Sequence, residues 1–269
     1  MSRLSFMEDA AAQRYVSWSG GEDSTASIIL CHEKGIHLDG VVMSEVMFDH
    51  RRNISGEHPE HIEWVYKTAK PIIEEQFGYK VYILRDESDY IQEFFYTPKN
   101  PRIPERANKH AGFLLGGMCV ANRNLKMRPL RKFFAEVGEC EQIVGICADE
   151  AARLQKLSKK VNRRALLAEL GIEKHETAQI CRNYNLRSPI YKTGKRQGCW
   201  FCPNTTIKGF AELKKRHPEL WEELRILSLT ENLVSQSFRY ELPFSEVDRR
   251  IDELNSLPEQ ISIFDFWED

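Results

Sequence analysis

No uninterrupted apolar run in this 269-residue sequence approaches the ~20 residues that a membrane-spanning helix needs. A bilayer span is therefore not expected. An excess of charge of one sign is missing too. Lys and Arg total 38 against 40 Asp and Glu, a formal charge of −2, which argues against a generally basic nucleic-acid coat and leaves room only for a local basic patch. There is no internal repeat and no low-complexity tract, and the chain is 42% hydrophobic and 29% charged, so a solenoid or a disordered tail does not fit. The stretch from Met1 to Ala12 lacks the basic-then-apolar order of a secretory signal, and the expectation is a cytoplasmic protein. Cysteine is sparse: seven residues, an odd number, with none after Cys202. In a reducing compartment that usage points to metal or redox chemistry rather than a disulfide framework.

What is present is an alternation of strand-like and amphipathic segments. Arg14–Trp18, Gly40–Phe48, Val81–Leu84 and Ile143–Ile146 have the apolar character of strands. Ser24–Lys34 has a helical apolar face, and Pro59–Phe77 predicts a long helix with proline near its start, where the missing N–H costs little. Strands separated by helices predict βαβ units, hence a doubly wound α/β fold with a parallel sheet. Such open sheets bind ligands at the carboxyl ends of their strands. Residues 96–112, with Pro98, Pro101 and Pro104 among basic residues, predict a long loop of the lid or binding type.

Between the first strand and the first helix lies Ser19-Gly20-Gly21-Glu22-Asp23-Ser24. Two glycines let the backbone turn sharply and approach an anion. The free N–H groups and positive end of the following helix then face that anion. Ser17, Ser19 and Ser24 add hydroxyls. The plainer alternative is a strand–helix turn in which Ser24 caps the helix.

This string resembles the Ser-Gly-Gly-x-Asp-Ser signature of the PP-loop ATP pyrophosphatases, the adenine-nucleotide alpha-hydrolase superfamily. Glu22 stands where that family commonly has Lys or an apolar residue. Other segments are similar to its phosphoadenosine-phosphosulfate (PAPS) reductase-like branch: Phe48-Asp49 followed by Gly56–Glu60; the Lys-x-x-Pro-Leu element at Lys126–Leu130; Gly145–Glu150 followed by Arg153, with Cys147 in place of an Arg; Ser188–Tyr191; and Gly198–Pro203. The matches run from about residue 13 to 205. The resemblance implies a Rossmann-like nucleotide-binding α/β domain over residues 1–175 and a cysteine-bearing helical region over 176–269. It implies ATP with Mg2+, cleaved to AMP and pyrophosphate to adenylate an acceptor, with Ser17, Ser19, Gly20, Gly21, Glu22, Asp23 and Ser24 around the nucleotide. Asp23 and Asp149 are the expected magnesium- or hydroxyl-orienting carboxylates, and Lys126 and Arg153 the expected charge-neutralising cations. A PAPS reductase also uses a redox cysteine near its C-terminus, which this chain lacks, so ATP-using relatives that insert sulfur into tRNA or DNA are the better parallel, with a sulfur-donor protein as partner. Sulfonucleotide reduction and non-catalytic binding of nucleotide and nucleic acid are the alternatives.

The Cys199-x-x-Cys202 pair has the spacing that grips one metal or one cluster edge. Two more ligands are needed. Cys119, near where cluster-bearing sulfonucleotide reductases carry ligands, and Cys181, on the helix before the pair, complete the expected site. A [4Fe-4S] cluster is the first expectation and structural zinc the second. Cys31, Cys140 and Cys147 are expected to be structural. Basic residues cluster at 123–132 and 153–164, where solvated helix faces are the plain reading beyond Lys126 and Arg153, and tRNA or DNA contact the functional one. The tail aromatics Phe264, Phe266 and Trp267 either dock on the body or mark a homodimer contact.

Overall fold

A computed structural model describes residues 13–113, 119–159, 162–192 and 198–256. The chain divides into two units, Met1–Tyr90 with Val120–Cys199 and Ile91–Cys119 with Trp200–Asp269. The boundary expected at 175/176 falls inside the first of them. Lys160 and the tail aromatics lie outside the described residues.

The first unit is built on five parallel strands: β1 (Gln13–Trp18), β2 (Gly40–Glu45), β3 (Val81–Arg85), β4 (Cys140–Val144) and β5 (Arg163–Arg164). Their order is β3-β2-β1-β4-β5. Tyr15 pairs with Gly40 on one side of β1, Val16 with Ile143 on the other, and Val41 with Val81 further out. The order reverses at β1, so the gap between β1 and β4 is the topological switch point of the sheet.

Side chains alternate across the sheet as the period of two requires. Val16, Trp18, Val41, Met43, Val81 and Ile143 pack on one face against α1 (Glu22–Glu33), the helix that starts as α2 (Pro59–Trp64), and Leu166 and Leu167 of a short helix. Cys31, Cys147 and Cys181 belong to that core. Tyr15 and Val42 face the other way and are covered by Leu130, Phe133, Phe134 and Val137 of α3 (Met127–Val137). Both faces are covered, which is the arrangement expected of a doubly wound sheet.

The strand boundaries move for local reasons. The second strand leaves the sheet at Val46, whose carbonyl accepts from Gly56 N–H at 2.7 Å, and Met47–Asp49 pairs separately with Ile54–Ser55. The fourth ends at Val144, because Gly145 is pressed against α1. The predicted long helix exists, but it widens into π-helical turns at Val65–Ala69 and Ile72–Gln76. After β4 come α4 (Ala151–Leu157) and α5 (Lys174–Asn183). β5 was not foreseen: two adjacent arginines carry no apolar alternation.

The second unit has its own aromatic core, in which Phe113 and Phe238 rings lie 5.0 Å apart, Phe210 and Phe238 5.1 Å, and Trp221 and Phe244 4.7 Å. Residues 97–113 are loop apart from one short 3-10 turn, Pro104–Arg106, as expected. Among the described residues no helix is long and apolar enough to cross a membrane.

Candidate functional site

β1 delivers the chain to Ser19, and Ser19–Gly21 turn it into α1. Gly20 has φ of +73°, in the left-handed region that favours glycine. A Cβ there would lie 2.3 Å from Cε1 and 2.6 Å from Nε2 of His61, so the ring beneath the turn also demands glycine. His61 is 2% exposed, and its Nδ1 lies 2.9 Å from Ser188 Oγ. Burial pulls its pKa down to about 4 against a hydrogen bond with the Ser19 backbone, and the nearby Lys126 charge pulls the same way as burial. The imidazole is therefore neutral at pH 7 and acts as a rigid floor.

Hydroxyls hold the turn. Ser19 N–H donates to Ser24 Oγ at 3.2 Å, Ser24 Oγ donates to Gly21 O at 3.1 Å, and Gly21 N–H reaches Ser19 Oγ at 3.3 Å. Gly21, not Ser24, occupies the N-cap position. Ser24 sits in the first turn and ties the loop together. Ser17 lies two residues before Ser19, on β1 between Val42 and Val144. The first-turn N–H groups of a helix have no intrahelical partner; Glu22 N–H is taken by the Tyr191 hydroxyl at 3.2 Å.

The two acids of that first turn are both matched by distant cations. Glu22 pairs with Arg187 Nε at 2.6 Å, and the guanidinium lies 5.4 Å from the Tyr191 ring centre. Glu22 thus does not leave a bare negative charge on the loop. Asp23 pairs with Lys174 Nζ at 2.8 Å and accepts from Thr177 Oγ1 at 3.1 Å. Sequence reasoning missed Lys174 and Arg187, and nothing local to the motif signals them.

The end of β4 closes the other side. A Cβ on Gly145 would lie 2.6 Å from Ser24 N and 2.8 Å from Asp23 C, so only glycine lets this loop meet the start of α1. Beyond it, ligand atoms of Asp23, Cys147 and Glu150 gather within 4.8 Å of one another. Glu150 accepts the Cys147 N–H at 3.0 Å and pairs with Arg153 at 2.7 Å. Those contacts hold its pKa below the usual carboxylate value, against burial. Burial, then the carboxylates of Asp23 and Glu150, push the Cys147 thiol up to about 12. Of the expected carboxylate pair, Asp23 is in this group; Asp149 instead accepts the backbone N–H of Lys174, the first residue of α5, at 3.2 Å. Arg153 is engaged with Glu150. Lys126 forms no ion pair among the described residues, and its charge is felt at His61.

The four expected metal-binding cysteines are differently placed. Cys181 is buried in the core of the first unit, donates to the Glu22 carbonyl at 3.4 Å, and has its thiol pushed up to about 12 by burial. That is the setting of a packing thiol. Cys199 belongs to the first unit, in a bridge with Glu57. Cys202 and the exposed Cys119 belong to the second. The basic clusters are partly paired: Arg128 Nε with Asp86 at 2.7 Å, Lys132 with Glu87 at 3.3 Å, Arg164 with Glu169 at 2.7 Å. Those four, counting Arg153, are neutralised; Arg123, Lys126, Arg131, Lys156, Lys159 and Arg163 form no ion pair among the described residues.

No protein-family model and no curated protein matches the chain. Among solved structures it is similar to the U34-tRNA thiolase NcsA from Methanococcus maripaludis with its [4Fe-4S] cluster, at 16% identity and a TM-score of 0.40, over 88% of this chain and 80% of that one. At that distance the likeness carries neither an activity nor a site residue across.

Proposed function

We propose that this chain is an ATP-binding enzyme of the PP-loop kind that splits ATP between its α- and β-phosphates and passes AMP to an acceptor. The observation that supports it most is the position of Ser19–Ser24: a left-handed glycine turn at the carboxyl end of β1, at the switch point of a parallel sheet, running straight into α1. That is where open α/β sheets take ligands and where a helix favours an anion.

In the proposed reaction an acceptor oxygen attacks the α-phosphorus. A new P–O bond forms, the bond to the bridging oxygen breaks, and pyrophosphate leaves with the electron pair. The negative charge grows on the departing pyrophosphate. The loop and the start of α1 would hold it through backbone N–H groups, with Ser19 and Ser24 shaping the turn. Lys126 would supply charge from the side of His61. No enzyme nucleophile is needed, so catalysis rests on positioning and charge. Magnesium carried by the phosphates needs few protein ligands. Replacement of the adenylate by sulfur, on a tRNA or DNA acceptor, is the proposed purpose. Cys199 and Cys202 are the thiols that would grip iron or zinc, supplying sulfur chemistry or bracing the chain.

The test is product analysis with α-labelled ATP, magnesium, a sulfide source and separate tRNA and DNA pools. Equal amounts of AMP and pyrophosphate, dependent on one pool, are expected. ADP and phosphate, or no turnover with either pool and no nucleotide binding, would overturn the reading. Iron, zinc and labile-sulfide analysis of protein purified without oxygen tests the cysteine assignment.

A further inference from the structure

We infer that Lys174 supplies a positive charge to the polyphosphate at the Ser19–Ser24 loop, in addition to pairing with Asp23. The inference rests on the nucleotide reading above and adds to it a residue that the motif does not contain.

Three observations carry it. First, the backbone of Lys174 is fixed. It opens α5, its N–H is held by Asp149 Oδ1 at 3.2 Å, and Thr177 one turn on reaches Asp23 Oδ1 at 3.1 Å. The helix that carries Lys174 is therefore tied, one turn on, to the carboxylate that its ammonium meets. Second, the ammonium sits against the second residue of α1, 2.8 Å from Asp23 Oδ2, beside the helix N-terminus proposed to hold the anion. Yet the side chain is 60% exposed, so the four-carbon stem has room to swing from carboxylate to phosphate. Third, the ammonium answers a group of acids rather than one. Asp23, Cys147 and Glu150 gather within 4.8 Å, and the Lys174 pKa is raised by its hydrogen bond to Asp23 and by the charges of Asp23, Glu150 and Cys147. A protein cation therefore sits against this donor set through Asp23.

Arg187 provides the contrast. It is bound to Glu22 at 2.6 Å, lies over the Tyr191 ring, and is 31% exposed. A planar guanidinium held by both partners is a fixed neutraliser, whereas a lysine on a flexible stem is a mobile point charge.

The experiment is calorimetric titration of the full chain with magnesium pyrophosphate and, separately, adenosine. The proteins are wild type, Lys174→Met, Lys174→Arg, Asp23→Asn and the Asp23→Asn/Lys174→Met double variant, with Lys156→Ala as a control for general surface charge and thermal unfolding as a check on folding. Lys174→Met is expected to weaken pyrophosphate about tenfold, to leave adenosine unchanged, and to do so in the Asp23→Asn background as well; Lys174→Arg recovers most of the loss. If Lys174 only neutralises Asp23, its removal is harmless once Asp23 is gone, and a vanished effect in the double variant overturns the inference. So does an unchanged Lys174→Met, or an equal loss from Lys156→Ala. If wild type binds neither pyrophosphate nor ATP, the nucleotide reading itself fails, a result distinct from the others.

Discussion

The two loops that meet at the switch point, Ser19–Ser24 after β1 and Gly145–Glu150 after β4, are held on different plans. The first ties its turn together through its own serines, while its acids, Glu22 and Asp23, are matched by cations from far along the chain. The second sets acids around a buried thiol, and Glu150 finds its cation three residues on, in Arg153. They share one device, a glycine placed where a side chain would collide: Gly20 over the His61 ring, Gly145 against the backbone of Asp23 and Ser24. The difference teaches where each loop's shape comes from. The first loop's turn is dictated by local sequence but its charge balance by elements distant in the chain, whereas the second loop's carboxylate Glu150 is matched by a neighbour on its own helix.

The largest expected effects come from the shared device. Gly20→Ala meets both a left-handed backbone and the imidazole, and is expected to cost about 3 kcal/mol in denaturant unfolding. Gly145→Ala meets only a collision with backbone and should cost about 2 kcal/mol. Adding His61→Ala removes the ring and leaves the strained φ, so Gly20→Ala/His61→Ala should be less destabilised than the sum of its singles, while Gly145→Ala and His61→Ala should add. Additivity in both pairs would break the comparison.

The next effect is acid sensitivity of the first loop's floor. The folded pKa of His61 is lowered to about 4 from 6.5, so below pH 6.5 the unfolded chain binds the proton that the folded chain refuses. Stability from this group is complete above pH 6.5 and falls as pH drops toward 4, by about 3 kcal/mol in total. Urea midpoints of wild type and His61→Gln between pH 7 and 4.5 measure it; the wild-type slope should be the steeper. Equal slopes would mean that the imidazole is not held neutral.

Thiol reactivity separates the second loop. With their pKa values raised to about 12, Cys147, Cys181 and Cys31 should resist alkylation at pH 8 until the chain unfolds, while exposed Cys119 reacts. Mass mapping of alkylated peptides checks this. The smallest effect is expected from Arg187→Ala, which strips the partner from Glu22 at a partly exposed site and should cost about 1 kcal/mol of stability. It should also weaken pyrophosphate binding, because Glu22 would then repel it.

Much of the first plan was legible in the sequence. Strands β1 to β4 announce themselves by apolar runs, and Ser19–Ser24 is a contiguous string whose glycines and hydroxyls act where they stand. Gly145–Glu150 was visible as a segment too, but the charge partners of Glu22 and Asp23 were not. Lys174 lies 151 residues from Asp23 and Arg187 165 from Glu22, and each looks like any surface cation on its own helix or loop. Asp149 and Glu150 are adjacent acids, and only the fold shows that one accepts the first N–H of α5 while the other faces Asp23. Cys181 lies near the Cys-x-x-Cys pair along the chain, and only the fold shows that helix α5 turns it into the core against α1.

The most direct test of the account is a structure of the full chain crystallised with magnesium and a non-hydrolysable ATP analogue. The account predicts the terminal phosphates against Gly20–Ser24 at the start of α1, with the Lys174 ammonium within hydrogen-bond reach of a phosphate oxygen. A nucleotide bound elsewhere, with the Ser19–Ser24 turn free of phosphate, would contradict it.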